Sequence, residues 1–260
     1  MLDGRVAIVT GGGRGLGRAI AIACAKEGAS VAVASRTRDE LERTVSIIQD
    51  NGGHAIAIKA DVSDAGDITN LMRTVEMKLG LPDILVNNAA IVEPIGPLKD
   101  VSVEEFDHAM AVNLRSAFLC TRAAVPGMIA KRHGRIINVT SGLAETVLAR
   151  LGVYSVAKAG LNHLTRLFAE ELGGHNIQVF GLDPGVMDTR MQEDIRKTDI
   201  HRLGGEAYRV YWGYKQSGKL KDPDKVAELA LFLLSDKADY LSGEIGGELH
   251  FMSYGYDLAA

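Results

Sequence analysis

Short runs of apolar and β-branched residues alternate along the whole chain with longer segments of helical periodicity. The short runs span residues 6–9, 31–33, 54–60, 84–86, 135–139 and 177–182. The segments between them, such as residues 16–27, 38–50, 103–131 and 156–172, have the length of crossover helices. Because strands joined by crossover helices pair in parallel, this alternation predicts one doubly wound α/β domain over residues 1–260, with about seven parallel strands and helices on both faces.

Composition restricts the partners that such a domain can have. The 260 residues carry 29 basic and 33 acidic side chains, a net charge of -4, so they lack the basic field that nucleic acids and anionic membranes attract. No apolar run approaches the roughly 18 residues of a membrane helix. Cys24 and Cys120 are expected in the core, and the seven histidines show no metal-ligand spacing. We therefore expect no nucleic-acid, membrane or metal partner. Because the first strand-like run begins close to Met1, without room for a signal peptide, the expected location is cytoplasmic.

One segment, residues 187–222, departs from the alternation. It is rich in charge, contains the only tryptophan and places Tyr208, Tyr211, Trp212 and Tyr214 close together. Long irregular insertions in compact domains are often lids or binding loops, which predicts a substrate-binding insertion here. A subunit contact, or a surface helix packed by its aromatic side chains, is the alternative.

The first strand ends in Thr10-Gly11-Gly12-Gly13-Arg14-Gly15-Leu16-Gly17, and a helix-like segment follows at once. A strand, a glycine turn and a helix amino terminus bring backbone N–H groups to one point, which suits a pyrophosphate. Gly11 and Gly15 allow the turn and the close approach of a ligand, and Gly17 lets the helix lie near the strand. A tight turn can need glycines for steric reasons alone, but this context favours a Rossmann-type dinucleotide site.

The end of the second strand bears on the choice of dinucleotide. An NAD site usually has an acidic residue there, whereas this chain has Ser35-Arg36. Together with Arg14, Arg36 would present two guanidinium groups to a 2′-phosphate, so NADP(H) is favoured over NAD(H). The alternative is that Arg36 and Arg38 pair with the acidic residues of the next helix, which are Asp39, Glu40 and Glu42.

Tyr154 and Lys158 lie four residues apart in a helix-like segment and so project from one helical face. They follow the fifth strand, which ends in Asn138-Val139-Thr140-Ser141, and the carboxyl ends of parallel strands are where such sheets bind ligands. Tyr211 and Lys215 have the same spacing but no strand before them. A lysine near the phenol is expected to lower its pKa towards neutrality, so that Tyr154 can exchange a proton while Ser141 holds the substrate oxygen.

Asn113 is a polar residue in an otherwise apolar stretch of a predicted long helix. Its spacing alone favours a buried amide that a helix carbonyl satisfies, with or without a water molecule.

In their order along nearly the whole chain, these motifs resemble the short-chain dehydrogenase/reductase family in its compact single-domain form. The matching residues are Thr10-Gly11-xxx-Gly15-x-Gly17, Asp61-Val62, Asn87-Asn88-Ala89-Ala90, Asn113, Ser141, Tyr154-xxx-Lys158 and Pro184-Gly185 with Thr189. The resemblance implies a catalytic tetrad of Asn113, Ser141, Tyr154 and Lys158, in which Asn113 holds a water linked to Lys158. It also implies cofactor contacts from the glycine turn with Leu16, from Asp61 and Val62 at adenine, from Asn88 and Ala89 near ribose, and from Pro184, Gly185, Val186 and Thr189 around the nicotinamide.

Two departures from the family pattern are Ala90, where glycine is usual, and a carboxyl end without the Val-Asp-Gly-Gly of many tetrameric members. The family expectation is a homodimer or homotetramer. The stretch that starts at Pro184 is similar to sepiapterin and benzil reductases, which implies NADPH-dependent reduction of a ketone or 1,2-diketone. The alternatives are an NAD-dependent alcohol or sugar dehydrogenase of the same family and a dinucleotide-binding sensor without turnover.

Overall fold

The computed structural model describes residues 1–257, which form a seven-stranded parallel sheet in the order β3-β2-β1-β4-β5-β6-β7. The strands are β1 (Val6–Thr10), β2 (Ser30–Ser35), β3 (His54–Lys59), β4 (Ile84–Asn87), β5 (Gly134–Val139), β6 (Ile177–Leu182) and β7 (Ile245–Gly246). Each neighbouring pair runs parallel. The predicted doubly wound α/β fold with seven parallel strands is confirmed.

Helices cover both faces of this sheet. The long ones are α1 (Gly15–Lys26), α2 (Arg38–Asp50), α3 (Ala65–Lys78), α4 (Val103–Met110), α5 (Ser116–Lys131), α6 (Gly152–Leu172) and α10 (Pro223–Leu233), and a short α11 (Glu248–Met252) follows β7. One apolar core joins the sheet to α1, α2 and α10, and a second joins it to α3, α5 and α6. Within β1, Val9 belongs to the first core and Ile8 to the second, so every residue of this strand is buried.

The order of the strands locates the site. From β1 the chain proceeds to β2 and β3 on one side, and from β4 it continues on the other side. The carboxyl ends of β1 and β4 therefore border the crevice where doubly wound sheets bind ligands.

The segment predicted as one long helix over residues 103–131 is interrupted. A capping box between Ser102 and Glu105 begins α4, and a π-helical turn at Ala111–Arg115 separates α4 from α5. Such turns insert an extra residue into the hydrogen-bond ladder and occur often at functional sites. This one places Asn113 at the junction between the two helices.

Residues 187–222 form three helices, which are α7 (Arg190–Lys197), α8 (Ile200–Leu203) and α9 (Gly205–Gln216). The two ends of this segment lie side by side. A bridge joins Met187 to Lys221, with hydrogen bonds of 3.0 Å from the Asp188 amide to the Lys221 carbonyl and 2.9 Å from the Lys221 amide to the Val186 carbonyl. The Lys221 amine also lies 2.8 Å from the Glu248 carboxylate. The insertion therefore leaves and re-enters the domain at one point.

Cys24 and Cys120 are free and buried in the two cores. None of the helices within residues 1–257 has the length and apolar character needed to cross a membrane.

Candidate active site

The glycine turn is held tightly against the end of β4. The Thr10 hydroxyl accepts hydrogen bonds of 3.0 and 3.1 Å from the amides of Asn88 and Ala89, and the Asn88 side chain donates to the Thr10 carbonyl at 2.9 Å. A side chain at Gly17 would collide with the Gly11 carbonyl, so this glycine permits the close contact between helix and turn. Gly11 has a φ of +66° and packs against Asn88 in the same way.

Gly15 differs from these two glycines because the space where a Cβ would lie is open. Its φ is +52°, and the nearest atom to an added Cβ would be a Thr189 methyl group across a cleft, at 3.4 Å. No side chain caps the amino terminus of α1, so its first amides are available to a ligand. A pyrophosphate therefore fits this point, where backbone N–H groups and the helix dipole coincide with an open space.

The cleft extends from the end of β2 to the start of α7 and has a volume of about 380 Å³. Fourteen residues proposed from the sequence line it: Gly11, Arg14, Gly15, Leu16, Ser35, Arg36, Asp61, Val62, Asn88, Ala89, Tyr154, Lys158, Pro184 and Thr189. The other five proposed residues are not among those that line the cleft; they are Gly17, Asn113, Ser141, Gly185 and Val186. Lining residues absent from the sequence-based set include Glu40, Thr140, Asp188, Arg190 and Met191.

At the end formed by β2, the alternative pairing proposed for the arginines holds only in part. Arg38 pairs with Glu42 at 2.7 Å on the exposed surface of α2. Glu40 instead approaches Arg14 of the glycine turn, at 3.4 Å. Arg36 lines the cleft and has an electrostatic interaction with the Asp61 carboxylate, which also lines it.

Tyr154 and Lys158 lie together on the cleft side of α6. The Lys158 amine is 5.6 Å from the centre of the Tyr154 ring and donates a 2.6 Å hydrogen bond to the Val139 carbonyl at the end of β5. Only 2 % of Lys158 and 9 % of Tyr154 are exposed. Ser141, two residues beyond β5, interacts with the phenol and accepts a hydrogen bond from the Leu143 amide.

Burial controls the protonation of this pair. Burial raises the pKa of Tyr154 above its ordinary value, Tyr211 and Asp183 raise it further, and the Ser141 hydroxyl opposes them. Burial also lowers the pKa of Lys158 to about 8. The predicted lowering of the phenol pKa by its lysine is therefore wrong for this structure, since lost hydration is the largest influence on the phenol and raises its pKa. A phenol that keeps its proton at neutral pH is suited to donate it to an oxygen.

Asn113 is buried, and its amide is satisfied by the loop after β4. The side-chain oxygen accepts from the Ile91 amide and the side-chain nitrogen donates to the Ile91 carbonyl, both at 2.9 Å. The helix carbonyl that spacing alone favoured is therefore not its partner. The π-helical turn and this loop are fixed to each other beside the cleft.

Tyr211, which has the same spacing to Lys215 as Tyr154 has to Lys158, does not line the cleft but lies close enough to Tyr154 to raise the pKa of that phenol. It is 5 % exposed and packs in an apolar cluster with Leu151, Val92 and Ile95. The partly buried Leu143, Val186 and Met191 pack against that cluster, and Met191 also lines the cleft, so this apolar wall joins the loop after Ser141 to the insertion. The aromatic density of residues 208–214 was the sequence signal for this wall.

Comparison with known proteins extends these observations. The family model described as short chain dehydrogenase matches residues 5–200. Versicolorin reductase 1 of Aspergillus parasiticus is 37% identical over 95% of this chain and 95% of its own. The NADPH-dependent aldehyde reductase-like protein, chloroplastic, of Arabidopsis thaliana is 34% identical over 94% of this chain and 92% of its own. The crystal structure of a putative NAD(P) dependent gluconate 5-dehydrogenase from Beutenbergia cavernae with bound NADP superposes with a TM-score of 0.84, at 32% identity over 95% of each chain.

Proposed function

Because the chain belongs to the short-chain dehydrogenase/reductase family, and is thus an NAD(P)-dependent oxidoreductase acting on CH–OH or C=O groups, we propose that it reduces a ketone or 1,2-diketone with NADPH. The observation that carries the proposal is the buried phenol of Tyr154 beside Lys158, on the cleft that begins at the glycine turn.

In this proposal the residues of the tetrad bind the carbonyl and move one proton. Ser141 donates a hydrogen bond to the carbonyl oxygen, and Tyr154 transfers its phenolic proton to the same oxygen. A reduced nicotinamide bound in this cleft would supply the hydride that the carbonyl carbon requires. Protonated Lys158 stabilises the phenolate that remains, and a water held near Asn113 returns a proton through Lys158.

The residues around the glycine turn support a dinucleotide, and two arginines favour NADPH. The pyrophosphate would be bound by Gly11, Gly15, Leu16 and Gly17. The 2′-phosphate would be bound by Arg14, Ser35 and Arg36. Asp61 and Val62 would contact adenine, Asn88 and Ala89 the ribose side, and Pro184, Gly185, Val186 and Thr189 the nicotinamide. Comparison of kcat/KM for NADPH and NADH tests the preference, and Arg36→Asp is expected to reverse it by about tenfold or more.

An NAD-dependent alcohol or sugar dehydrogenase is the second candidate, and the likeness to a putative NAD(P) dependent gluconate 5-dehydrogenase favours its sugar substrate but not its use of NAD. The aromatic and apolar wall around Tyr211 instead favours a flat or apolar substrate. A panel of aromatic ketones, 1,2-diketones and sugars, followed by loss of NADPH absorbance, separates the two. Strict activity on sugars would contradict the first proposal.

The Tyr154→Phe variant tests the acid role directly. It keeps the ring and removes the hydroxyl that carries the proton, so kcat is expected to fall by at least about 10³-fold while the Kd for NADPH stays within about twofold. Tyr214→Phe, an exposed tyrosine of α9, is the matched control. Unchanged turnover in Tyr154→Phe would refute the mechanism. A parent protein that binds NADPH but turns over no carbonyl of the panel would favour the dinucleotide-binding sensor.

We also propose a homo-oligomer. Apolar side chains of three neighbouring helices remain exposed, namely Val103 and Phe106 of α4, Phe118 of α5, and Val156 and Leu167 of α6. A second copy of the chain would cover them.

A further inference from the structure

Glu40 occupies a position at the β2 end of the cleft that the proposed cofactor contacts leave unexplained. It lies in the first turn of α2 and lines the cleft together with Arg14, Arg36 and Arg190. One oxygen of its carboxylate is 3.4 Å from Arg14 and 3.9 Å from Arg190. The carboxylate is 21% exposed, whereas the two arginine side chains are 50% and 62% exposed. A partly buried anion is thus placed between two cations that water reaches.

The backbone that carries Glu40 is fixed to the glycine turn. The Thr44 hydroxyl lies within hydrogen-bond distance of the Glu40 carbonyl, at 3.1 Å, and of the Gly12 carbonyl, at 3.0 Å. A Cβ placed on Gly13 would be 3.0 Å from the Cβ of Glu40, so the helix and the turn are in close contact. A ligand on the turn therefore meets this carboxylate unless its side chain turns away.

We propose that Glu40 determines cofactor selectivity, by opposing a 2′-phosphate on the arginines and thereby keeping the site open to NADH. The inference rests on the proposed use of Arg14 and Arg36 for that phosphate. A 2′-phosphate carries close to two negative charges, so it is repelled by Glu40 and must compete with it for Arg14. NADH presents a neutral hydroxyl at the same place, for which a carboxylate is a good acceptor.

The test is Glu40→Gln, with affinities for NADPH and NADH measured by calorimetry and by quenching of Trp212, the only tryptophan. Loss of one charge near the phosphate is expected to tighten NADPH on the order of tenfold, while NADH stays equal or weakens. Adenosine 2′,5′-bisphosphate and 5′-AMP should show the same contrast, since they differ in the 2′-phosphate as NADPH and NADH do and lack the nicotinamide.

The matched control is Glu42→Gln, which removes the same charge from the same helix but from the exposed pair with Arg38. It is expected to change both affinities by less than about twofold. In an Arg14→Gln background the effect of Glu40→Gln should shrink, because the arginine for which the carboxylate and the phosphate compete is gone.

Three results would overturn the inference while leaving the proposed function standing. They are an equal change for both cofactors, a weaker affinity for NADPH in Glu40→Gln, and an equal effect of Glu42→Gln. A parent protein that binds neither NADPH nor NADH, or an Arg36→Asp variant without any change in preference, would instead contradict the proposed function. Thermal melts of each variant show whether a weaker affinity reflects unfolding.

Discussion

At the scale of the single residue, Lys158 shows a conflict between stability and the proposed reaction. Its amine is buried with one hydrogen bond, to the Val139 carbonyl, and burial lowers its pKa to about 8. At pH 7 the folded protein therefore holds a charge that would be better hydrated in the unfolded chain. Replacing Lys158 by methionine should raise the free energy of unfolding by about 1 to 2 kcal/mol at pH 7, and should abolish turnover.

The pH dependence of that gain follows from the sign of the shift. The pKa of Lys158 is lower in the folded than in the unfolded protein, so between about pH 8 and the ordinary lysine value the unfolded state binds more protons. The stability of the parent relative to Lys158→Met should therefore increase as pH rises through this range. Urea unfolding at pH 7 and pH 9.5 measures it. A difference between the two proteins that stays constant with pH would contradict this account.

The sequence predicts the identity of the reactive residues better than their protonation. The spacing of Tyr154 and Lys158 on one helix, after the fifth strand, was sufficient to place both on the cleft. The direction of the phenol pKa was wrong because it depends on lost hydration, and hydration depends on how the insertion and α6 pack. Glu40 was considered as a partner of Arg36 or Arg38, whereas its contact with Arg14 required the structure.

At the scale of the element, regular helices were predicted closely and irregular ones were not. The predicted segment at residues 38–50 coincides with α2, and that at residues 16–27 differs from α1 by one residue at each end. The π-helical turn at Ala111–Arg115 was not predicted, because one extra residue in the helical hydrogen-bond ladder leaves the pattern of apolar residues almost unchanged. The three helices within residues 187–222 were not predicted, because their packing depends on contacts with residues distant in the sequence, such as Val92 and Leu151.

The insertion helix α9 offers a test of its predicted role as a substrate wall. Tyr211→Ala removes a buried ring from the cluster next to Tyr154, and is expected to lower kcat/KM for aromatic ketones by about tenfold or more, mainly through KM. Tyr214→Ala, on the same helix but with an exposed side chain, should change kcat/KM by less than about twofold. Equal effects of the two variants would favour the alternative that this helix is a subunit contact.

At the scale of the whole molecule, three neighbouring helices, α4, α5 and α6, keep large apolar side chains exposed. The exposed apolar residues of α4, α5 and α6 include Phe118, which is 41% exposed and stacks on Phe168 with ring centres 6.3 Å apart. Aromatic side chains on neighbouring helices are typical of the apolar centre of a subunit interface. These exposed apolar side chains are not among the residues that line the cleft, so we expect association through them to leave the cleft open.

Phe118→Glu is the variant that tests the predicted homo-oligomer. A charge at the centre of an apolar interface must be buried without a partner, so the variant is expected to shift the mass measured by light scattering towards the 27.8 kDa of one chain. Met77→Glu on α3 is the matched control, because Met77 is a 71% exposed apolar residue of a helix that does not contribute to this patch. The control should retain the parent mass. If the parent protein already has the mass of a single chain at micromolar concentration, the proposal that a second copy covers this apolar face is wrong.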